Sequence, residues 1–81
     1  MDEELARHVA TVAFKAMSDL TGLLSLLKRH SRDKAEYNRY SNLIASLTGS
    51  ISSELLSEIF SNHPEIEKEF DAKITKYGKL I

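Results

Sequence analysis

Apolar residues recur along this chain with the period of an α-helix. Ala6, Ala10, Ala13, Met17, Leu20, Leu24 and Leu27 alternate in steps of four and three without a miss, the spacing that keeps side chains on one helical face. Leu5, Val9, Val12, Ala16 and Leu23 widen that stripe to roughly 160° of the circumference, broader than a two-stranded seam requires. Arg7, Thr11, Ser18, Ser25 and Arg29 occupy the other side, and Gly22 falls among them. Acids at positions 2–4 and bases at Lys28 and Arg29 complement the helix macrodipole at both ends. The pattern predicts one helix over residues 3–29, roughly 40 Å long at 1.5 Å per residue.

His30-Ser31-Arg32-Asp33 is a polar connection with Ser31 or Asp33 placed to cap the next helix. A link this short favours an antiparallel neighbour. A second helix is predicted over residues 34–61, with Tyr37, Tyr40, Ile44, Leu47, Ile51 and Leu55 in a narrow arc and Leu43 on its flank. Ser46, Ser50, Ser53, Ser57 and Ser61 make a separate polar stripe. Beyond position 55 the apolar face rotates, because Leu56, Ile59 and Phe60 point away from that arc. Such a rotation implies either a kink near Thr48-Gly49-Ser50 or a second neighbour on the rotated side.

Asn62-His63-Pro64-Glu65 is the clearest punctuation, with Pro64 as a first-turn proline behind an Asn62 or His63 cap. Ile66, Phe70, Ile74 and Tyr77 form the stripe of a third helix over residues 64–77, and Gly78 fits the position just past its end. Leu and Ala together number eighteen, against two Val, six Ile and four Thr, so composition leans the same way as periodicity. The expected fold is all-α and a single domain over residues 1–81. It consists of a long antiparallel hairpin with a shorter third helix folded back on the far end of the second.

Size then changes what the stripe implies. The chain has 81 residues and no cysteine, and at 9.1 kDa a folded monomer buries only about 63% of the surface its unfolded form exposes. No disulfide or thiolate zinc site can reinforce it. Oligomerisation is the usual remedy, and the wide stripe supplies a surface for it. A homodimer completing a helical bundle is therefore predicted, with Ala10, Ala13, Phe14, Met17, Leu20, Leu24 and Leu27 at the partner or dimer interface. Phe14 and Leu26 lie off the main stripe and extend the apolar surface around the first helix.

Eleven Lys and Arg against twelve Asp and Glu leave a net charge of −1, which disfavours a globally basic nucleic-acid binder. One local cluster stands out. Lys28, Arg29, Arg32, Lys34 and Arg39, with only Asp33 and Glu36 among them, give the hairpin end a charge of +3 and surround it with His30, Tyr37 and Tyr40. Arginines with interleaved aromatics suit a polyanion; a solvated helix end explains the same residues more plainly. A helix-turn-helix fits poorly. Ala45, Gly49 and Leu55 match its spacing, but Thr48, Ser50 and Glu58 stand at its apolar positions, and the would-be recognition helix carries Glu54 and Glu58 with no base.

No catalytic signature appears. Glu4 and His8 are one helical turn apart, two ligands where zinc needs at least three from the protein, and His30 and His63 fall at a turn and a cap. Glu54, Glu58, Glu65, Glu67, Glu69 and Asp71 lie on polar faces or in a first turn, where they stay hydrated and lack the burial that a general acid–base pair requires. No metal and no cofactor are expected. The acidic start, Met1-Asp2-Glu3-Glu4, is unlike a basic secretory leader, and no uninterrupted apolar run exceeds a few residues. The expectation is a cytoplasmic, non-enzymatic interaction or regulatory protein without a membrane role. It would associate with itself and with another protein, a nucleic-acid-binding regulator being the alternative.

Overall fold

The computed structural model describes residues 1–78, and the chain is all-α. Helix α1 spans Glu3–His30. It starts where the Asp2 carboxylate accepts from the Leu5 N–H at 2.8 Å, satisfying one of the unpaired amides of the first turn. Helix α2 spans Lys34–Ser50, and of the two candidate caps Asp33 takes the role, accepting from the Glu36 N–H at 2.8 Å. The chain continues as a π-helical turn, Ile51–Leu56, and a short α3, Ser57–Asn62. The junction residues Ser50, Leu56 and Ser57 all keep right-handed helical backbone, so residues 34–62 form one rod. Helix α4 spans Pro64–Tyr77. Proline opens it, and Gly78 closes it with φ of 74° and an N–H donated to the Ile74 carbonyl at 2.7 Å. That left-handed conformation is the one a helix end most often assigns to glycine.

No kink forms at Thr48-Gly49-Ser50, which is regular α-helix. The rotation arises one turn later, in the π-helical segment, where the Ser57 N–H reaches back five residues to the Ser52 carbonyl. More residues fit into such a turn than the 3.6 of an α-helix. In unbroken α register Leu56 and Phe60 would lie roughly 100° or more past the Ile44–Ile51 arc. The wider turn draws them back toward α1 and α4, which cover them, so of the two expected causes the second neighbour is present and the kink is not.

Ala6, Ala10 and Ala13 on α1, Leu56 and Ile59 on the rod, and Ile66 and Phe70 on α4 make one buried cluster. Alanines on α1 let the neighbouring helices approach closely, and Ile66 is completely buried. Phe70 meets Phe14 and Phe60 edge-to-face, with ring centroids 6.1 and 5.7 Å apart, a favoured geometry for aromatic pairs. Arg7 pins the outer side of the same contact. Its guanidinium donates to Glu69 at 2.8 Å and to Glu3 at 3.0 Å. The hydrogen bond from Arg7 holds the Glu69 carboxyl below its ordinary value of 4.5.

Helix α4 is half the length of α1 and packs only on its N-terminal portion. Beyond Met17 the molecule is two helices side by side. It measures 45 × 25 × 16 Å with a radius of gyration of 14.9 Å, against about 12 Å for a compact domain of this length.

Phe70→Ala is expected to cost about 3–5 kcal/mol, read as a lower denaturation midpoint with early loss of α4 protection in hydrogen exchange. Glu69 supplies a pH dependence of known sign. Its folded-state acidity is strengthened, so its contribution is fully present above pH 4.5 and is lost as pH falls through the folded value. Glu69→Gln is expected to flatten that acid-side loss in thermal melts while leaving the shape of the curve near neutrality unchanged.

Candidate interaction surfaces

Among the described residues five large apolar side chains are buried (Ile44, Leu56, Ile59, Ile66 and Phe70) while ten are exposed, eight of them between Leu5 and Leu55. This inversion follows from where α4 sits. It covers one side of the hairpin formed by α1 and the rod, and the other side has no neighbour among the described residues. On that open side Val9, Val12, Ala13 and Ala16 of α1 face Ile51 and Leu55 across a groove of about 340 Å3, with His8 at its end. Helical spacing carries the strip onward through Leu23 on α1 and through Leu47, Leu43 and Tyr40 on α2, exposed by 42, 55, 53 and 43%. Adjacent Leu55 and Leu56 part company, Leu55 into the groove and Leu56 into the core, as neighbours on a helix do.

The residues predicted at an interface separate into two groups. Ala10 and Ala13 are buried inside the single chain, and Phe14 and Met17 pack against the same core, so the rod and α4 together occupy the surface they were assigned to a partner. Leu20, Leu24 and Leu27 remain half-buried between α1 and α2. The surface open to a partner instead comprises the flank of the stripe, Val12 and Leu23, together with Leu43, Leu47 and Leu55 of the rod. Leu43 was visible as an arc-flank residue, and Leu55 as a member of the arc beside Ile51.

The accessible surface measures this openness. The chain exposes 5950 Å2, whereas a folded monomer of its mass exposes about 4,900 Å2. The excess is roughly the 800 Å2 that each partner contributes to a standard protein interface.

The basic cluster lies at the tip where α1 passes into α2, and all five cations are solvent-exposed. Arg32 is engaged locally, 3.5 Å from Glu36 and 3.9 Å from Asp33. Arg39 lies over the Tyr40 ring, 5.1 Å from its centroid, a cation–π distance. Lys28, Arg29 and Lys34 make no ion pair among the described residues.

The histidines stay apart. His8 and His30 are exposed, and His63 sits 3.6 Å from Glu65 at the start of α4. No group of three or more His, Asp or Glu side chains converges among the described residues. A second groove, of about 370 Å3, runs between Phe14, Met17 and Phe60 and is edged by Ser57, Ser61 and Glu67. By length and composition α1 is apolar enough to cross a membrane. In the fold that helix carries the Lys15–Asp19 ion pair at its midpoint, 2.9 Å apart, and buries Ala6, Ala10 and Ala13 in the core shared with the rod and α4. No family model, curated protein or solved structure matches this chain.

Proposed function

We propose that this chain is a small non-enzymatic interaction or regulatory protein that works through helical faces and associates with itself. The observation that carries the reading is the open apolar side of the hairpin, where Val12, Leu23, Leu43, Leu47 and Leu55 lie in one strip with no covering element among the described residues. Contiguous apolar surface of this size on a soluble chain marks a protein interface. A core of five large side chains is slender for independent stability, and covering the strip adds apolar burial at about 25 cal/mol per Å2.

Leu47→Glu tests this directly, because Leu47 is more than half exposed and contributes little to the single-chain core. Light scattering across a concentration series is expected to show a dimer for the unmodified protein. The variant is expected to dissociate at least about tenfold more readily, a 1.4 kcal/mol effect, with its helicity retained. Unchanged mass and affinity in the variant would refute the proposed surface.

A second reading rests on the tip, where unpaired Lys28, Arg29 and Lys34 accompany the Arg39–Tyr40 stack. On this reading the chain is a nucleic-acid-binding regulator. Retention on single-stranded nucleic acid at low salt, weakened by added salt and abolished by alanine at Arg29, Arg32 and Arg39, is its expected signature. Absence of retention by the unmodified protein removes it.

A further inference from the structure

The molecule is electrically polarised along its long axis. Lys28, Arg29, Arg32, Lys34 and Arg39, less Asp33 and Glu36, leave the tip at +3. At the other end Asp2, Glu3 and Glu4 begin α1, and Glu58 lines a surface hollow with Met1. With Glu54 one turn earlier and Arg7 as the base among them, that end stands at −4. About 40 Å of helix separates the two poles at 1.5 Å per residue. The apolar strip runs between them: its groove ends at His8, one turn after Glu4, and at Leu55, one turn before Glu58.

Resting on the self-association reading, we propose that the occupant of the open face is a second copy of this chain laid antiparallel, so that the basic tip of each protomer covers the acidic end of the other. Three constraints select this arrangement. An isologous pair uses one patch twice, and here the twofold axis crosses the middle of the strip, near Ala16 and Leu47. There each apolar side chain meets its own counterpart. A parallel pair would instead set two +3 tips side by side and two −4 ends side by side, which like-charge repulsion opposes at both poles. The available area also fits. Two adjacent helices, each about 10 Å across, along a 45 Å axis offer roughly 900 Å2, against about 800 Å2 per partner in a stable complex. Full overlap is needed to reach that value, and full antiparallel overlap is what pairs the poles.

The chain lacks cysteine, so a single spin label at His30→Cys, an exposed site at the tip, reports orientation without further engineering. Antiparallel protomers are expected to give a label–label separation of about 40 Å, the run of α1, and a dimer that dissociates several-fold more readily as salt screens the pole-to-pole attraction. A separation below about 20 Å, two helix diameters, or a dimer tightened by salt, would overturn the antiparallel arrangement while leaving self-association in place. A chain that stays monomeric at every concentration, or that partitions as a monomer onto lipid vesicles, would overturn the self-association reading itself and this inference with it.

Discussion

The buried cluster shared by the alanine face of α1, the rod and α4 organises everything else in this molecule. Ala6, Ala10 and Ala13 are buried together with Leu56, Ile59, Ile66 and Phe70, and dispersion rewards that proximity over many weak contacts. Leu56 and Ile59 join the same cluster because the π-helical turn delays their phase. A π-helical turn is a rare distortion. Here it persists because it serves the cluster, aiming two large side chains at α1 and α4 that a regular α-helix would direct elsewhere.

Gathering the alanine face, the rod and α4 into one core has a consequence on the other side of the hairpin. Helix α1 carries a stripe wide enough for two neighbours besides α2, and the chain supplies one of them, over half its length. The remaining apolar side chains stay at the surface. The unusually large exposed area and the extended radius of gyration are two measures of one fact: this fold is a partial bundle. The proposed role follows from that incompleteness rather than from any reactive group, since the titratable residues lie on hydrated faces and the one strengthened ion pair, Arg7 with Glu69, belongs to the packing of α4.

Charge placement connects the two surfaces. The tip cations and the carboxylates around the start of α1 lie at opposite ends of the apolar strip, so the proposed antiparallel partner would engage all three features together. The same geometry would place the tip in competition: a polyanion bound at Lys28, Arg29 and Lys34 would draw on the charges that the proposed second protomer would use. The two functional readings thus draw on one set of side chains.

Helix existence, helix ends and the Asp33 cap were legible in the sequence because they depend on local chemistry. Four-three spacing sets the faces, Asp33 accepts from the amide three residues ahead, Pro64 begins a helix, and Gly78 ends one; the Asp2 cap was not foreseen, and neither Asn62 nor His63 caps α4 with its side chain. The surplus of apolar surface was legible too, since it follows from the width of the stripe on so small a chain. Which part of the stripe is spent inside the chain was decided by tertiary structure alone. Periodicity ranks residues by angle around a helix; it carries no information about which arc a distant segment will cover. Ala10, Ala13, Phe14 and Met17 face inward because the rod and α4 gather there. Leu47 and Leu55 face outward because nothing among the described residues docks on their side, and no residue type within Ile51–Leu56 announces the π-helical turn.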